Sequence, residues 1–147
     1  MKIYLGSDHA GVRLKEKIKA DLMRRKIPYE DLGTTTLDPV DYPDYAFRVA
    51  EHVAKHKGSR GILICGTGTG MTIAANKVDG IRAVAAYDTY SAKMSRVDND
   101  TNVLGLRGRY FPTERAMRII AVWLRTPFSG KPRHRNRLRK IADYEKQ

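Results

Sequence analysis

The feature that most constrains the fold is an alternation between short β-rich segments and longer segments with helical periodicity. The apolar run RGILIC is typical of a strand buried inside a parallel sheet, whereas Leu14, Ile18 and Leu22 recur at the spacing of one helix face. Because neighbouring parallel strands require crossover helices, this order predicts an α/β fold whose parallel sheet is covered on both faces. Strands are expected in five segments, which are residues 2–8, 27–34, 60–65, 80–88 and 102–108.

The segments between the expected strands have helical periodicity. Tyr45, Val49 and Val53 mark the buried stripe of one helix, and a long amphipathic helix is expected to start from a cap at Thr113, directly after Pro112. No repeat, low-complexity segment or linker divides the chain, so one domain is expected over residues 1–147. Helices are expected over residues 41–56, from 71, over 91–99 and over 113–128, followed by a basic helical tail from about His134.

Positive charge is concentrated near the C-terminus. Residues 101–147 hold twelve Lys or Arg against three Asp or Glu, which is +9 of the formal net charge of +12. The densest run is KPRHRNRLRK at residues 131–140. Such a run suits phosphate groups on a nucleic acid or on a small metabolite. A solvated face with no ligand explains the charge equally well.

The composition also bears on the compartment. Cys65 is the only cysteine, so no internal disulfide can form, and we expect a reducing, cytoplasmic setting. No apolar run approaches the roughly 20 residues that span a bilayer. The opening residues MKIYLGSD read as a strand rather than as a signal peptide.

Polar residues follow four of the expected strands. In open α/β sheets, ligands bind beyond the carboxyl ends of the strands, so these residues are the first candidates for a site. Polar residues also occur there simply because the chain returns to solvent, and both interpretations stay open. The four groups are Ser7-Asp8-His9, Cys65-Gly66-Thr67-Gly68, Tyr87-Asp88 and Arg107-Gly108-Arg109.

The glycine-rich loop after RGILIC has the first two glycines of a dinucleotide-binding fingerprint, but Met71 occupies the third position. A nucleotide-triphosphate loop is excluded because no Gly-Lys-Ser/Thr follows. What remains is a run of backbone N–H groups at a helix start, which favours an anion and the thiolate form of Cys65. A lone cysteine in an apolar strand is equally well explained by core packing.

The histidines do not predict a metal site. His52 and His56 have an i,i+4 spacing, but no third ligand is placed to complete a zinc set. A solvent-facing helix explains the pair more simply.

The motifs together resemble one known family, the type B ribose-5-phosphate isomerases, which are grouped with galactose-6-phosphate and allose-6-phosphate isomerases. The resemblance runs in order from Met1 to near the C-terminus. It rests on SDHAG at 7–11, DYPDYA at 41–46, GILICGTGTGMTIAANK at 61–77, GIRA at 80–83, NDTNVL at 99–104 and the Arg-His pair at 133–134.

The resemblance implies a Rossmann-like three-layer α/β/α sandwich with a five-stranded parallel sheet and a C-terminal helical tail. It implies a homodimer, or a tetramer formed by two such dimers, with active sites at the subunit interface and with no metal or cofactor. The implied reaction is aldose–ketose isomerisation in pentose phosphate metabolism, through a cis-enediolate. The basic tail from about residue 131 is expected to extend to the partner subunit.

The resemblance also implies roles for individual residues. Cys65 matches the base of the cysteine branch of the family, Thr67 matches a hydroxyl that assists it, and Asp8 matches a residue that contacts the sugar hydroxyls. The enediolate oxygens need preorganised donors, and these match the loop N–H groups and one amide, at Gly66, Gly68, Gly70 and Asn99.

The phosphate of the substrate is expected to be bound by basic side chains, because the forked donors of arginine suit a phosphate monoester. Tyr42 is expected to lie near the substrate. The matching phosphate-binding positions are His9, Arg109, Arg133 and Arg137, the last two extending into the partner subunit's site.

One departure concerns ring opening. The family has a histidine immediately before Asn99, whereas this chain has Asp98. An ordinary carboxylate is ionised at neutral pH, so it accepts a proton well and donates one poorly. Three outcomes are open: Asp98 opens the ring as a base, Asp8 takes over, or the preferred sugar phosphate differs.

Two alternatives to a ribose 5-phosphate isomerase stay open. The first keeps the chemistry but acts on allose 6-phosphate or galactose 6-phosphate. The second is a nucleic-acid or polyanion-binding protein that uses residues 131–140. That function predicts aromatic residues among the basic ones for base stacking, and this run contains none.

Overall fold

Five parallel strands form one sheet in a computed structural model that describes residues 1–147. The spatial order is β2-β1-β3-β5-β4, and every neighbouring pair is parallel. The predicted α/β class is therefore confirmed. The strands are β1 Ile3–Ser7, β2 Tyr29–Asp31, β3 Arg60–Cys65, β4 Ala83–Ala85 and β5 Val103–Arg107.

Six helices connect and follow the strands. A single 3-10 turn at His9–Gly11 leads from β1 into the first of them. None of the helices is long and apolar enough to cross a membrane. The helices are α1 Val12–Arg24, α2 Tyr42–Lys55, α3 Thr69–Ala75, α4 Thr89–Asn99, α5 Thr113–Arg125 and α6 Pro132–Glu145.

Each face of the sheet has its own core. Ile62 and Ile64 of β3 pack on one face with apolar residues of α1, α4 and α5, including the fully buried Trp123. Leu63 points to the other face, where α2 and α3 pack. Successive side chains of a strand alternate between faces, so RGILIC contributes to both cores. This is why the run is continuously apolar, as the sequence predicts.

The edge strands are shorter than expected. The regular ladder of β2 covers only residues 29–31, although backbone hydrogen bonds to β1 continue as far as Thr34, whose N–H donates to the Ser7 carbonyl at 2.8 Å. β4 covers only residues 83–85, and it pairs on one side alone, with β5. The expected segment 27–34 thus matches the stretch that hydrogen-bonds to β1, whereas the expected segment 80–88 extends beyond β4 at both ends.

Several details of the helices differ from the prediction. α3 and α4 each begin two residues earlier than expected, and α5 ends at Arg125 rather than at residue 128. α5 begins at Thr113 as expected, but Pro112 holds the cap position and no side chain caps the helix. The expected Thr113 cap was wrong, because this residue already lies within the helix. Tyr45 of α2 is only partly buried, and its ring fills the space beside Gly33, whereas Val49 and Val53 are buried as expected.

The C-terminal helix α6 is attached through few contacts. His134 is its only buried residue, with 2% of its surface exposed. The backbone N–H of Ser129, just before the helix, donates to the carbonyl of Val97 in α4 at 3.1 Å. Most of the basic side chains of α6 therefore face away from the two cores.

Candidate active site

The thiol of Cys65 lies at the carboxyl end of the central strand. Cys65 is the last residue of β3 and has 4% of its surface exposed. The backbone N–H of Gly68 donates to its Sγ at 3.1 Å. Gly68 needs a φ of 82°, and a Cβ there would lie 3.0 Å from the carbonyl carbon of Leu106. Only glycine lets the loop turn back tightly enough to present this N–H to the sulfur.

The loops after β3 and β5 are joined by backbone hydrogen bonds. The N–H of Gly108 donates to the carbonyl of Cys65 at 2.8 Å, and the N–H of Arg109 donates to the carbonyl of Gly66 at 3.2 Å. The Arg109 guanidinium lies so close to Gly66 that a Cβ at Gly66 would be 3.3 Å from Nη1. These contacts therefore fix the position of the Arg109 side chain relative to the loop that follows Cys65.

Tyr42 borders the same loop. A Cβ at Gly70 would lie 2.8 Å from Cζ of Tyr42, so the phenol ring rests on the Gly70 backbone. Tyr42 is 40% exposed at the start of α2. Thr67 is exposed, its Oγ1 accepts from the Thr69 N–H at 3.2 Å, and its carbonyl accepts from the Tyr87 hydroxyl at 2.9 Å. These contacts fix the loop and leave the other face of Thr67 open.

Two hydrogen-bond donors face each other beside this loop. The N–H of Val40 donates to Nδ1 of His9 at 3.2 Å, so the neutral imidazole carries its proton on Nε2. Nε2 lies 3.4 Å from Nη2 of Arg109. Neither of these groups can accept from the other, because both are donors. The two donors have no shared acceptor in the protein, and a phosphate oxygen could accept from both of them.

Asp8 is buried at the end of β1, with 7% of its surface exposed. Its Oδ1 accepts from the N–H groups of Ala10 and Gly11, at 2.9 and 3.2 Å, which caps the 3-10 turn. This contact orients His9, the first residue of that turn. Oδ2 has no protein partner and is the oxygen left for a ligand.

A cleft of about 520 Å³ extends from the donor pair along α1. Its cationic lining includes two residues that sequence reasoning missed, Arg13 and Lys17. Their signal was present in the sequence, since His9, Arg13 and Lys17 are spaced by four. That spacing places consecutive members on one side of a helix.

The remaining candidates lie near the amino ends of the strands, at the opposite end of the sheet from Cys65. α4 begins at the carboxyl edge, where Asp88 caps it by accepting from the Ser91 N–H at 2.7 Å, and this hydrogen bond lowers the pKa of Asp88 below its usual range. The helix then runs back for 11 residues, which is about 16 Å. Its last residues therefore lie at the amino edge, where the Asn99 carbonyl accepts from Nε of Arg82 at 3.0 Å.

Asp98 and α6 meet at this amino edge. Oδ1 of Asp98 lies 3.5 Å from Nε2 of His134, and Nε of Arg133 donates to the same Nε2 at 3.1 Å. Arg133 and Arg137 belong to one helix and are both exposed. A single chain thus presents two separate groups of candidates, one around Cys65 and one around Asp98 and Asn99, and does not bring them together.

Comparison with known proteins places this arrangement in a class. Residues 3–141 match a protein-family model described as Ribose/Galactose Isomerase. The chain is 49% identical to a putative sugar phosphate isomerase of Bacillus subtilis, over 100% of this chain and 99% of that protein. It is 45% identical to ribose-5-phosphate isomerase B of Escherichia coli, over 99% of this chain and 97% of that protein.

A solved structure agrees with these sequence matches. The ribose-5-phosphate isomerase B of Mycoplasma genitalium, determined with bound ribulose-5-phosphate, superposes with a TM-score of 0.96 at 39% identity, over 99% of this chain and 97% of that chain. The sequence matches and the fold thus define a sugar-phosphate isomerase. The chain belongs to the ribose/galactose isomerase family, which confirms the resemblance to type B ribose-5-phosphate isomerases.

Proposed function

We propose that this protein interconverts ribose 5-phosphate and ribulose 5-phosphate through a cis-enediolate, with the thiolate of Cys65 as the base. The observation that carries the proposal is the position of Sγ at the end of a strand. Sγ accepts a hydrogen bond from the Gly68 N–H, and the loop that follows Cys65 contacts Arg109 of the His9–Arg109 donor pair. The relative from Mycoplasma genitalium binds the ketose of this same reaction.

The proton transfers follow from the chemistry of the substrate. The Cys65 thiolate takes the proton from C2 of the open-chain aldose, and the C2–H electron pair forms the C1–C2 double bond while the C1 carbonyl becomes an enediolate oxygen. The thiol then returns the proton to C1, the hydroxyl oxygen at C2 becomes the ketone, and its proton passes to the oxygen on C1. A base with a pKa near the working pH suits this transfer.

Donors around the loop would stabilise the negative charge that develops on the two oxygens. The first N–H groups of a helix have no partner within it, and α3 begins at Thr69, directly beside the sulfur. We assign this role to N–H groups between Gly66 and Gly70 other than those of Gly68 and Thr69, which already donate within the loop. The Thr67 hydroxyl lies at the same centre. Asp8 would hold sugar hydroxyls through Oδ2, and Tyr42 would bound the sugar on the open side.

The proposed phosphate site begins at His9 and Arg109. These two donors lack an acceptor in the protein, and a phosphate oxygen between them supplies it. With the phosphate there, the sugar extends past Gly66 toward Sγ, because the Arg109 guanidinium lies directly against Gly66.

The proposed active unit is a homodimer, because within one chain Asp98 and Asn99 lie at the opposite end of the strands from the Cys65 loop. A second copy would bring its Asp98 and Asn99 to the Cys65 loop, and its Arg133 and Arg137 to the phosphate. The exposed, weakly attached α6 suits such an exchange. Assembly of dimers into tetramers and a cytoplasmic location stay predictions.

Ring opening is proposed to use Asp98 together with His134. The imidazole 3.5 Å away can take up a proton and share it with the carboxylate. The pair could then accept a proton from the anomeric hydroxyl and return one to the ring oxygen. This would let a carboxylate serve where the family has a histidine.

A second candidate keeps the same chemistry on a six-carbon sugar, and the family description itself includes galactose. A panel of ribose 5-phosphate, allose 6-phosphate and galactose 6-phosphate tests the choice. We expect kcat/KM to be highest for ribose 5-phosphate, and a preference for a hexose phosphate would reassign the substrate. Loss of activity on every sugar in Cys65→Ala is expected in either case.

A further inference from the structure

The cleft beside the proposed phosphate site holds more positive charge than one phosphate needs. Arg13, Lys17 and Arg109 carry permanent positive charges, His9 adds a donor, and no carboxylate lines the cleft. A phosphate monoester carries about −1.5 to −2 at pH 7. A monoester bound to His9 and Arg109 would therefore leave Arg13 and Lys17 uncompensated.

Neither of these two side chains is paired with an acid. Arg13 has no hydrogen-bond or ion-pair partner among the described contacts, and Lys17 contacts only Oγ1 of Thr113, at 3.4 Å. Both are exposed, so neither is needed to hold the core together. By contrast, Lys15 and Lys19 on the same helix pair with Asp31. The unpaired charges are confined to the side that faces the cleft.

Helix geometry aims both side chains toward the phosphate site. Side chains on a helix lean toward its N-terminus, so Lys17 leans over Arg13, and Arg13 leans toward the His9 turn. Like charges four residues apart repel each other when no anion is present. The N-terminal end of α1, a helix of 13 residues, adds a partial positive charge at the same place.

The positions of the donors suit a ligand with more than one phosphoryl group. Arg13 and Lys17 lie one turn apart on α1, about 6 Å along its axis, and His9 lies in the 3-10 turn that precedes this helix. Two linked phosphoryl groups can use all of these donors, with one group between His9 and Arg109 and the other at Arg13 and Lys17.

We propose that Arg13 and Lys17 form a second phosphoryl subsite, so that the cleft binds compounds with two linked phosphoryl groups, and that such compounds compete with the sugar phosphate. The ligand class comprises inorganic pyrophosphate and nucleoside diphosphates. The competition rests on the proposed function, because it requires one phosphoryl group to occupy the place between His9 and Arg109. The binding itself does not require turnover.

Calorimetric titration of the full-length protein with inorganic pyrophosphate and with inorganic phosphate, both without divalent cations, tests the subsite. Each charge-assisted contact adds substantially to affinity, so we expect pyrophosphate to bind at least about tenfold more tightly than phosphate. In Arg13→Gln/Lys17→Gln the two ligands should bind within about twofold of each other.

The matched control is Arg24→Gln, which removes a positive charge from the same helix outside the cleft. It should keep the full preference for pyrophosphate. Equal binding of the two ligands to the wild type, or an unchanged preference in the double variant, would overturn the subsite. ADP that binds more tightly than pyrophosphate assigns the subsite to nucleotides, and weaker ADP binding assigns it to free pyrophosphate. Calorimetry reads these outcomes even if isomerase activity is absent.

Discussion

The carboxylate of Asp98 lies 3.5 Å from Nε2 of the buried His134. Nε of Arg133 donates to this nitrogen at 3.1 Å, so the neutral ring carries its proton on Nδ1, which donates to Oγ of Ser129 at 2.7 Å. A proton taken up at Nε2 would exchange the contact with Arg133 for an ion pair with Asp98. The carboxylate therefore lies beside a ring nitrogen that can exchange protons, which the sequence did not indicate.

Asp98→Asn should separate ring opening from the isomerisation step. We expect turnover of ribose 5-phosphate to fall about 100-fold, because a positioned acid–base group contributes on that scale. Ribulose 5-phosphate has no ring to open, so its solvent deuterium exchange at C1 should change less than about twofold. NMR of both reactions in D₂O measures the two effects.

Asp143→Asn is the control for this change, since Asp143 is an exposed acid on α6. It should leave both rates unchanged. Unchanged turnover of ribose 5-phosphate in Asp98→Asn would exclude Asp98 from ring opening and would leave the task to Asp8.

Mixing two inactive variants tests whether the active site is shared between subunits. Cys65→Ala removes the base, and Arg137→Ala removes a phosphate ligand from the other group. In a twofold symmetric dimer, random reassortment gives half heterodimers, each with one intact site, so activity should recover to about a quarter of the wild type. The assay is turnover after the mixed subunits are dissociated and reassembled.

Each variant treated alone in the same way is the control and should stay inactive. A mixture that also stays inactive, although mass spectrometry detects heterodimers, would show that each site is built from one chain. The proposal of a shared site would then be wrong.

Gly68→Ala tests the loop geometry that presents an N–H to Sγ. Gly80 has nearly the same left-handed φ, 80° against 82°, but a Cβ there meets nothing within 4 Å. Gly80→Ala should cost about 1–2 kcal/mol in the free energy of unfolding from backbone strain, and Gly68→Ala should cost more because its Cβ also crowds the Leu106 backbone. Only Gly68→Ala displaces the donor to the sulfur, so kcat should fall at least about tenfold in that variant alone.

Urea unfolding together with steady-state kinetics measures both quantities for the two glycine variants. Equal kcat values in Gly68→Ala and Gly80→Ala would contradict a role for the Gly68 N–H. The comparison removes the shared cost of the left-handed conformation, since that cost is common to both.

The pairing of Lys15 with Asp31 should make stability sensitive to acid. Lys15 is fully buried, and its Nζ donates to Asp31 at 2.6 Å and to the carbonyl of Thr34 at 2.5 Å. Burial alone would raise the pKa of Asp31, but hydrogen bonds from Lys15, the Gly33 N–H and Lys19 outweigh it, so the pKa lies below its ordinary value. The contribution of Asp31 is present above its unfolded pKa and is lost as pH falls through the folded value.

Asp31→Asn should therefore cost about 3–5 kcal/mol near neutral pH, because it leaves the buried Lys15 ammonium without its carboxylate. The difference in unfolding free energy from the wild type should shrink as the pH falls below about 4. Urea unfolding at several pH values measures this difference. The control is Glu30→Gln, which lies on the same strand as Asp31 and breaks an exposed pair with Lys2. A difference independent of pH would contradict the ionic pairing.

The sequence predicted the parts of the molecule that depend on local periodicity. The continuous apolar run ending at Cys65 could only be a central strand, and the spacing of Leu14, Ile18 and Leu22 identified α1 and its buried face. Even the candidate base was located, since a strand end before a glycine loop is recognisable in the sequence.

What the sequence did not predict depends on how distant elements are arranged. Asp98 and Asn99 precede β5 by only a few residues, yet helix direction places them at the opposite edge from Cys65. The contact between Asp98 and His134 joins residues 36 positions apart and needs the docking of α6 on α4. Arg13 and Lys17 were overlooked because a basic helix face is common, and only the cleft distinguishes theirs from the rest.

The measurement that tests the central claim most directly is deuterium incorporation into C1 of ribulose 5-phosphate in D₂O, compared between the wild type and Cys65→Ala. Removing a general base costs on the order of 10²–10⁴ in rate, so we expect the rates of both exchange and isomerisation to fall by at least about 100-fold. Binding of inorganic phosphate should persist, which shows that the site remains folded. Exchange at the wild-type rate in Cys65→Ala would contradict Cys65 as the base.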